Sequence, residues 1–124
     1  MKRILFEIDY PTEKAKFLRK YSLNNFYGLP RCQQGTARRD WRSAVISAMK
    51  AYRVRKDPLN KPYEVTILWD DHLDIDNHAV LAAIIVNAMK GWVIVDDDRK
   101  RFVGVTHRFW RGGCIRVCVE EVGK

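Results

Sequence analysis

The chain alternates between stretches with strand-like and helix-like spacing of apolar residues. Residues 2–9, "KRILFEID", predict a first strand, and 63–69, "YEVTILW", alternate and are rich in β-formers, predicting a second. Between them, "TARRDWRSAVISAMKAY" places Trp41, Val45, Ala48, Met49 and Tyr52 at helical spacing. Thr36 is its expected cap, and the helix should run to about Tyr52. Residues 10–35 read as irregular, with Pro11, Gly28, Pro30 and Gly35 as breakers. A further helix is expected over roughly 77–90, capped by Asp76 or Asn77 and ended by Gly91. It is apolar nearly all round, which predicts burial. Two last strands, "RFVGVTHRFW" and "CIRVCVEEV", are separated by "RGG", which predicts a hairpin. The sum is an α+β domain with a small mixed or antiparallel sheet and two principal helices, one domain over 1–124.

Composition adds a partner class. Lys and Arg number 23 against 15 Asp and Glu, for a formal charge of +8. An excess of this sign attracts polyanions, nucleic acid first. No apolar run is long enough to span a membrane. The N-terminal "MKRILFEIDY" lacks the apolar core and cleavage site of a signal peptide and reads as a strand. Cys32, Cys114 and Cys118 are odd in number and show no zinc-ligand spacing. Three reduced thiols in a cytoplasmic setting are expected.

The charge is not evenly spread. Between Asp70 and Asp98 lie seven aspartates, at 70, 71, 74, 76, 96, 97 and 98, and one cation, Lys90. Asp74 and Asp76 stand two apart just before a helix N-terminus, where the helix dipole favours negative charge. Asp96–Asp98 follow the helix and the linker "WVIV". A helix of about 14 residues is about 21 Å long, so the two groups meet only if the linker runs back along it. If they meet, a sulfur-free carboxylate cluster selects a hard cation, Mg²⁺ or Mn²⁺. Such a cation in a basic protein suits phosphodiester hydrolysis. The alternative is that these aspartates cap helices and solvate turns. An EF-hand is excluded, because counting from Asp74 the sixth position is Ala79 and the twelfth Ile85.

The order "LDIDN", apolar helix, "GWVIVDDDRKRFVGV" resembles the RusA-type Holliday-junction resolvases of phages and prophages. Their pattern is D-x-D-N, a helix, a hydrophobic step and an Asp pair before a strand. "YSLNNFY" and "DWRSAVISAM" are similar to the family's Ser-Asn loop and first long helix. The resemblance covers about residues 4–122. It implies a homodimeric, Mg²⁺-dependent crossover junction endonuclease that nicks four-way DNA junctions symmetrically. Asp74 and Asp76 match the D-x-D-N acids and Asp97 the later acid, as metal ligands and catalytic residues. One departure stands out: Val80 occupies a position where many members carry a lysine. Lys90, Arg99, Lys100 or an arginine of 31–42 are the replacement candidates. Arg31, Arg38, Arg39 and Arg42, with Lys90 and Arg99, are the expected DNA contacts. Phe17, Tyr21, Phe26 and Tyr27 are interleaved with the basic region, either to stack on bases or to fill the core. For Trp41 the expectation is core. His78 is expected at the surface or the core edge, and His107 in a structural role on a strand.

Overall fold

The alternation at 63–69 becomes β2 (Tyr63–Trp69), with Tyr63, Val65, Ile67 and Trp69 buried on one face. β2 is an inner strand of a four-stranded mixed sheet in the computed structural model, which describes residues 2–122. The strand order is β1–β4–β2–β3. β1 (Arg3–Ile8) runs antiparallel to β4 (Ile115–Glu121), and β4 antiparallel to β2. β3 (Phe102–Phe109) is parallel to β2. Parallel neighbours require a crossover, supplied here by a 3-10 turn (Ile75–His78) and α4 (Ala79–Met89). The α+β class with a small mixed sheet is therefore as expected.

α4 buries Val80, Leu81, Ala82, Ile84, Ile85, Val86, Ala88 and Met89, as an all-round apolar helix must. It packs against α3 (Arg31–Ala51), whose Ala37, Trp41, Val45 and Met49 face inward. Trp41 is a core residue: its indole N–H donates to Leu81 O at 3.2 Å, so burial leaves no polar group unpaired. Among the described residues no helix is long and apolar enough to cross a membrane.

Three local expectations are corrected. Residues 10–35 are not irregular. They form α1 (Lys14–Tyr21) and α2 (Leu23–Phe26), and α3 begins at Arg31, five residues before Thr36. Pro30 precedes the first turn, and nothing crowds Gly35, which continues the helix. Thr36 is not a cap; its hydroxyl donates to Cys32 O at 3.1 Å, one turn back. Phe17, Tyr21 and Trp41 cluster at ring separations of 5.0–6.3 Å, and Phe26 stacks on Tyr21 at 6.0 Å. These aromatics fill the core, while Tyr27 remains 59% exposed.

"RGG" is not a hairpin either. β3 and β4 lie on opposite sides of β2, so residues 110–114 cross over its end. The glycines serve that crossing. The Trp110 indole lies where a Cβ on Gly112 would stand, and Gly113 has φ 81°. Finally, neither Asp76 nor Asn77 caps α4: the chain enters it through the 3-10 turn, with no side-chain cap bond.

Candidate functional site

The chain leaves β2 at Trp69 and enters a loop that carries four of the aspartates. Their environments divide them. Asp70 accepts the Gly113 N–H at 2.7 Å, tying the 110–114 crossover to the end of β2. Asp71 has a side chain with 0% exposure. It accepts hydrogen bonds from Tyr10 OH at 2.7 Å, His78 Nε2 at 2.8 Å and Leu73 N–H at 3.0 Å. Burial alone would raise its pKa. The bonds from His78 and Tyr10, with attraction to His78, outweigh burial and hold the carboxyl below its ordinary value. Tyr10, buried and bonded to Asp71, is pushed far above the ordinary phenol range and acts as a neutral donor.

His78 is completely buried, not at the surface or the core edge. Its Nδ1 faces Ile75 O at 3.2 Å and its ring lies 4.3 Å from Trp69. Asp71 and His78 lie on either side of the 72–77 segment and pin it. A buried pair is legible in sequence only as Asp-x₆-His, which has no helical or strand period; Asp71 and Tyr10 carried no signal. His107 has the structural role expected, accepting the Trp69 indole N–H at 3.0 Å.

Asp74 and Asp76 sit on the pinned segment, both exposed. Every other aspartate of the 70–98 stretch has a side-chain partner. Asp96 accepts the Asp97 N–H at 2.8 Å, and Asp97 pairs with Lys90 at 3.0 Å. Asp98 accepts the Arg101 N–H and pairs with its guanidinium at 2.8 Å. Among the described residues only Asp74 and Asp76 of this group have neither a side-chain hydrogen bond nor an ion pair.

Asp97 does not join them within the chain. It pairs with Lys90, immediately after α4, whereas Asp74 and Asp76 precede it. Eleven helical residues separate these ends by about 16 Å. The linker does not run back along the helix. The N–H groups of Trp92, Val93 and Ile94 all turn onto Met89 O, closing a tight turn. Because β3 is parallel to β2, the 96–101 turn lies at the Tyr63 end of the sheet and the 70–78 loop at the Trp69 end. Among the described residues no three His, Cys, Asp or Glu side chains are gathered to hold a metal ion. Asp74, Asp76 and Asp97 of one chain therefore do not fit a shared Mg²⁺.

Two concave surfaces border this loop and its helix. A cavity of about 640 Å³ lies between α1, α2 and the loop, with Lys14, Arg19, Asn24, Asn25, His72 and Asn77 in its walls. Lys14 donates to Asp70 O and lies 4.2 Å from the Tyr10 ring. A second groove, about 350 Å³, is lined by Tyr27, Arg38, Arg39, Arg42, Ile84 and Asn87. Arg31 is exposed at the start of α3, and Arg99 on the 96–101 turn. Lys90 is engaged by Asp96 and Asp97. α2 lies between the cavity and the groove, Asn24 and Asn25 lining one and Tyr27, just beyond it, the other. A scan against protein-family models finds no match for this chain, and a search among curated proteins finds no relative.

Proposed function

We propose that this protein is a structure-selective endonuclease that binds four-way DNA junctions and cuts them at the Asp74–Asp76 loop. The observation that carries it is the contrast on that loop: Asp74 and Asp76 are exposed and unpartnered beside a cavity walled by Lys14 and Arg19. Unpartnered acids facing a cationic surface stand where a phosphodiester backbone would be drawn in. The groove of Tyr27, Arg38, Arg39 and Arg42 offers guanidinium contacts to phosphate and one exposed ring for stacking on an unpaired base. Dependence on Mg²⁺ or Mn²⁺ belongs to this reading through the RusA-like motif order.

A second reading is a branched-DNA-binding protein without turnover. The observation favouring it is the engagement of Asp97 by Lys90, away from the other two acids.

The test is cleavage of a synthetic mobile four-way junction in Mg²⁺ and in Mn²⁺, with salt-dependent binding measured in parallel. The endonuclease reading expects cutting by the wild type, loss of cutting in Asp76→Asn, and binding that is retained or tighter in the variant. Equal cutting by the variant removes the role of Asp76. Salt-sensitive junction binding with no cutting in either metal selects the second reading. Absence of salt-sensitive binding eliminates both.

A further inference from the structure

β3 is an outer strand, and its free edge is apolar. Val103 at one end is 60% exposed and Phe109 at the other 54%. Exposed edges usually carry charges or proline that discourage pairing. The orientation of this edge can be read from its neighbour. The Trp110 N–H donates to Trp69 O at 3.0 Å, so by alternation the amides of Val105, His107 and Phe109 point outward.

Beside the same edge, between β3 and α4, lies a groove of about 240 Å³ lined by Ala82, Ala83, Val86, Phe102 and Val105, with Asp97 on it. β3 thus presents a protruding ring at its C-terminal end and an apolar groove toward its N-terminal end. Phe109 pairs in register with Trp69 and lies 5.9 Å from the His78 ring, so it sits on the helix side of the sheet, as the groove does.

We propose that β3 pairs antiparallel with β3 of a second copy, centred on Thr106, so that Phe109 of each copy enters the α4–β3 groove of the other. Several features select an identical copy over a foreign strand. Ring and groove lie on one strand, so a two-fold axis fills both grooves at once. Centring on Thr106 sets Val103 against Phe109, Gly104 against Arg108 and Val105 against His107. Residues of one face then meet residues of the same face, as a continuous sheet requires. Opposite Arg108 is a glycine, which has no side chain to displace.

The ends also complement each other in charge. Arg99 and Lys100 are exposed on the 96–101 turn, and among the described residues neither is in an ion pair. Asp74 and Asp76 are equally free at the opposite end. Antiparallel pairing brings the 96–101 turn of one copy to the 70–78 loop of the other. Asp97 then approaches Asp74 and Asp76 of the second copy, and Arg99 and Lys100 enter the neighbourhood that Val80 leaves without a cation. The pairing stands on the strand itself, whereas a shared acidic site between copies rests on the proposed endonuclease function.

Sedimentation equilibrium at micromolar protein tests the pairing without DNA. The wild type is expected as a dimer, and Phe109→Ser and Val103→Lys as folded monomers with unchanged circular dichroism. In a Cys32→Ser background, mild oxidation should cross-link Thr106→Cys but not Arg108→Cys. Residues facing each other at a non-hydrogen-bonded antiparallel position have Cα atoms about 4.5 Å apart, within disulfide reach. A monomeric wild type overturns the proposal. So does a dimer that survives both substitutions and gives no cross-link at 106.

The shared site has its own test. Asp74→Asn and Asp97→Asn chains, co-expressed with different tags and purified as the mixed dimer, should nick a junction that neither variant cuts alone. One site of that dimer is intact and the other lacks both acids, so nicks rather than resolved products are expected. A wild type that cuts, with no rescue in the mixed dimer, overturns the shared site and leaves the endonuclease reading standing. A dimer whose wild type never cuts removes that reading and leaves the pairing.

Discussion

The two acidic segments are alike in sequence and opposite in construction. At the Trp69 end, the loop is anchored from within. Asp71 and His78 are both fully buried and meet at 2.8 Å, with Tyr10 as a second donor. At the Tyr63 end, Asp96, Asp97 and Asp98 make surface bonds to Lys90, Arg101 and neighbouring amides. The difference teaches what a carboxylate does when water is removed. A buried one must be satisfied completely, so it fixes the backbone around it. An exposed pair competes with solvent and fixes little. Rigidity at the first segment leaves Asp74 and Asp76 available on a held loop, and the second segment spends its acids on its own turn.

The largest test of that contrast is removal of Asp71. Asp71→Ala strands His78 in the core, and loss of one partner of a buried pair costs about 3–5 kcal/mol. Thermal unfolding should fall by about 10 °C or more, with the 72–77 amides losing exchange protection first. A melting temperature within a degree or two of wild type would show that the network does not anchor the loop.

Acidification should separate the regions next. Burial, with His78 nearby, holds His107 below its ordinary value of 6.5. A depressed folded-state pKa gives a contribution that is complete above 6.5 and lost as the pH falls through the folded value. Protonation also removes the acceptor for the Trp69 indole. Asp71 follows the same sign lower down: its contribution is complete above 3.8 and lost below it. Urea midpoints should therefore begin to fall as the pH drops below 6.5, and His107→Gln should lack this first decline. The same profile in that variant would remove His107 as the cause.

The smallest effect belongs to the 96–101 turn. Lys90 holds Asp97 below its ordinary carboxylate value by a hydrogen bond, but the pair is largely exposed. Lys90→Ala should change stability by less than about 1 kcal/mol, and less again in high salt. A loss comparable with that of Asp71→Ala would erase the distinction between the segments.

Several features of the fold are legible along the chain because a single periodicity governs them. β2 alternates, α4 is apolar all round, and α3 repeats at helical spacing from Trp41 onward. The first turn of α3 and the two short helices before it are not legible. Their glycines and prolines resemble loop residues, and only the packing of Leu18, Tyr21 and Phe26 near Trp41 stabilises them as helices. The role of "RGG" is a different case. Two glycines mark a change of direction, but no local rule states which strand lies alongside, and here β2 intervenes.

The sequence by itself determined the class of fold, the burial of α4, the surplus of positive charge and the concentration of acids in one stretch. These follow from local spacing and counting, which need no knowledge of neighbours. The tertiary structure decided which of those acids are structural and which are free. It did so because β3 runs parallel to β2 and the Trp92–Ile94 turn folds onto Met89, leaving the two groups at opposite ends of the sheet. Burial, and not position in the chain, made Asp71 a buttress and left Asp74 and Asp76 exposed.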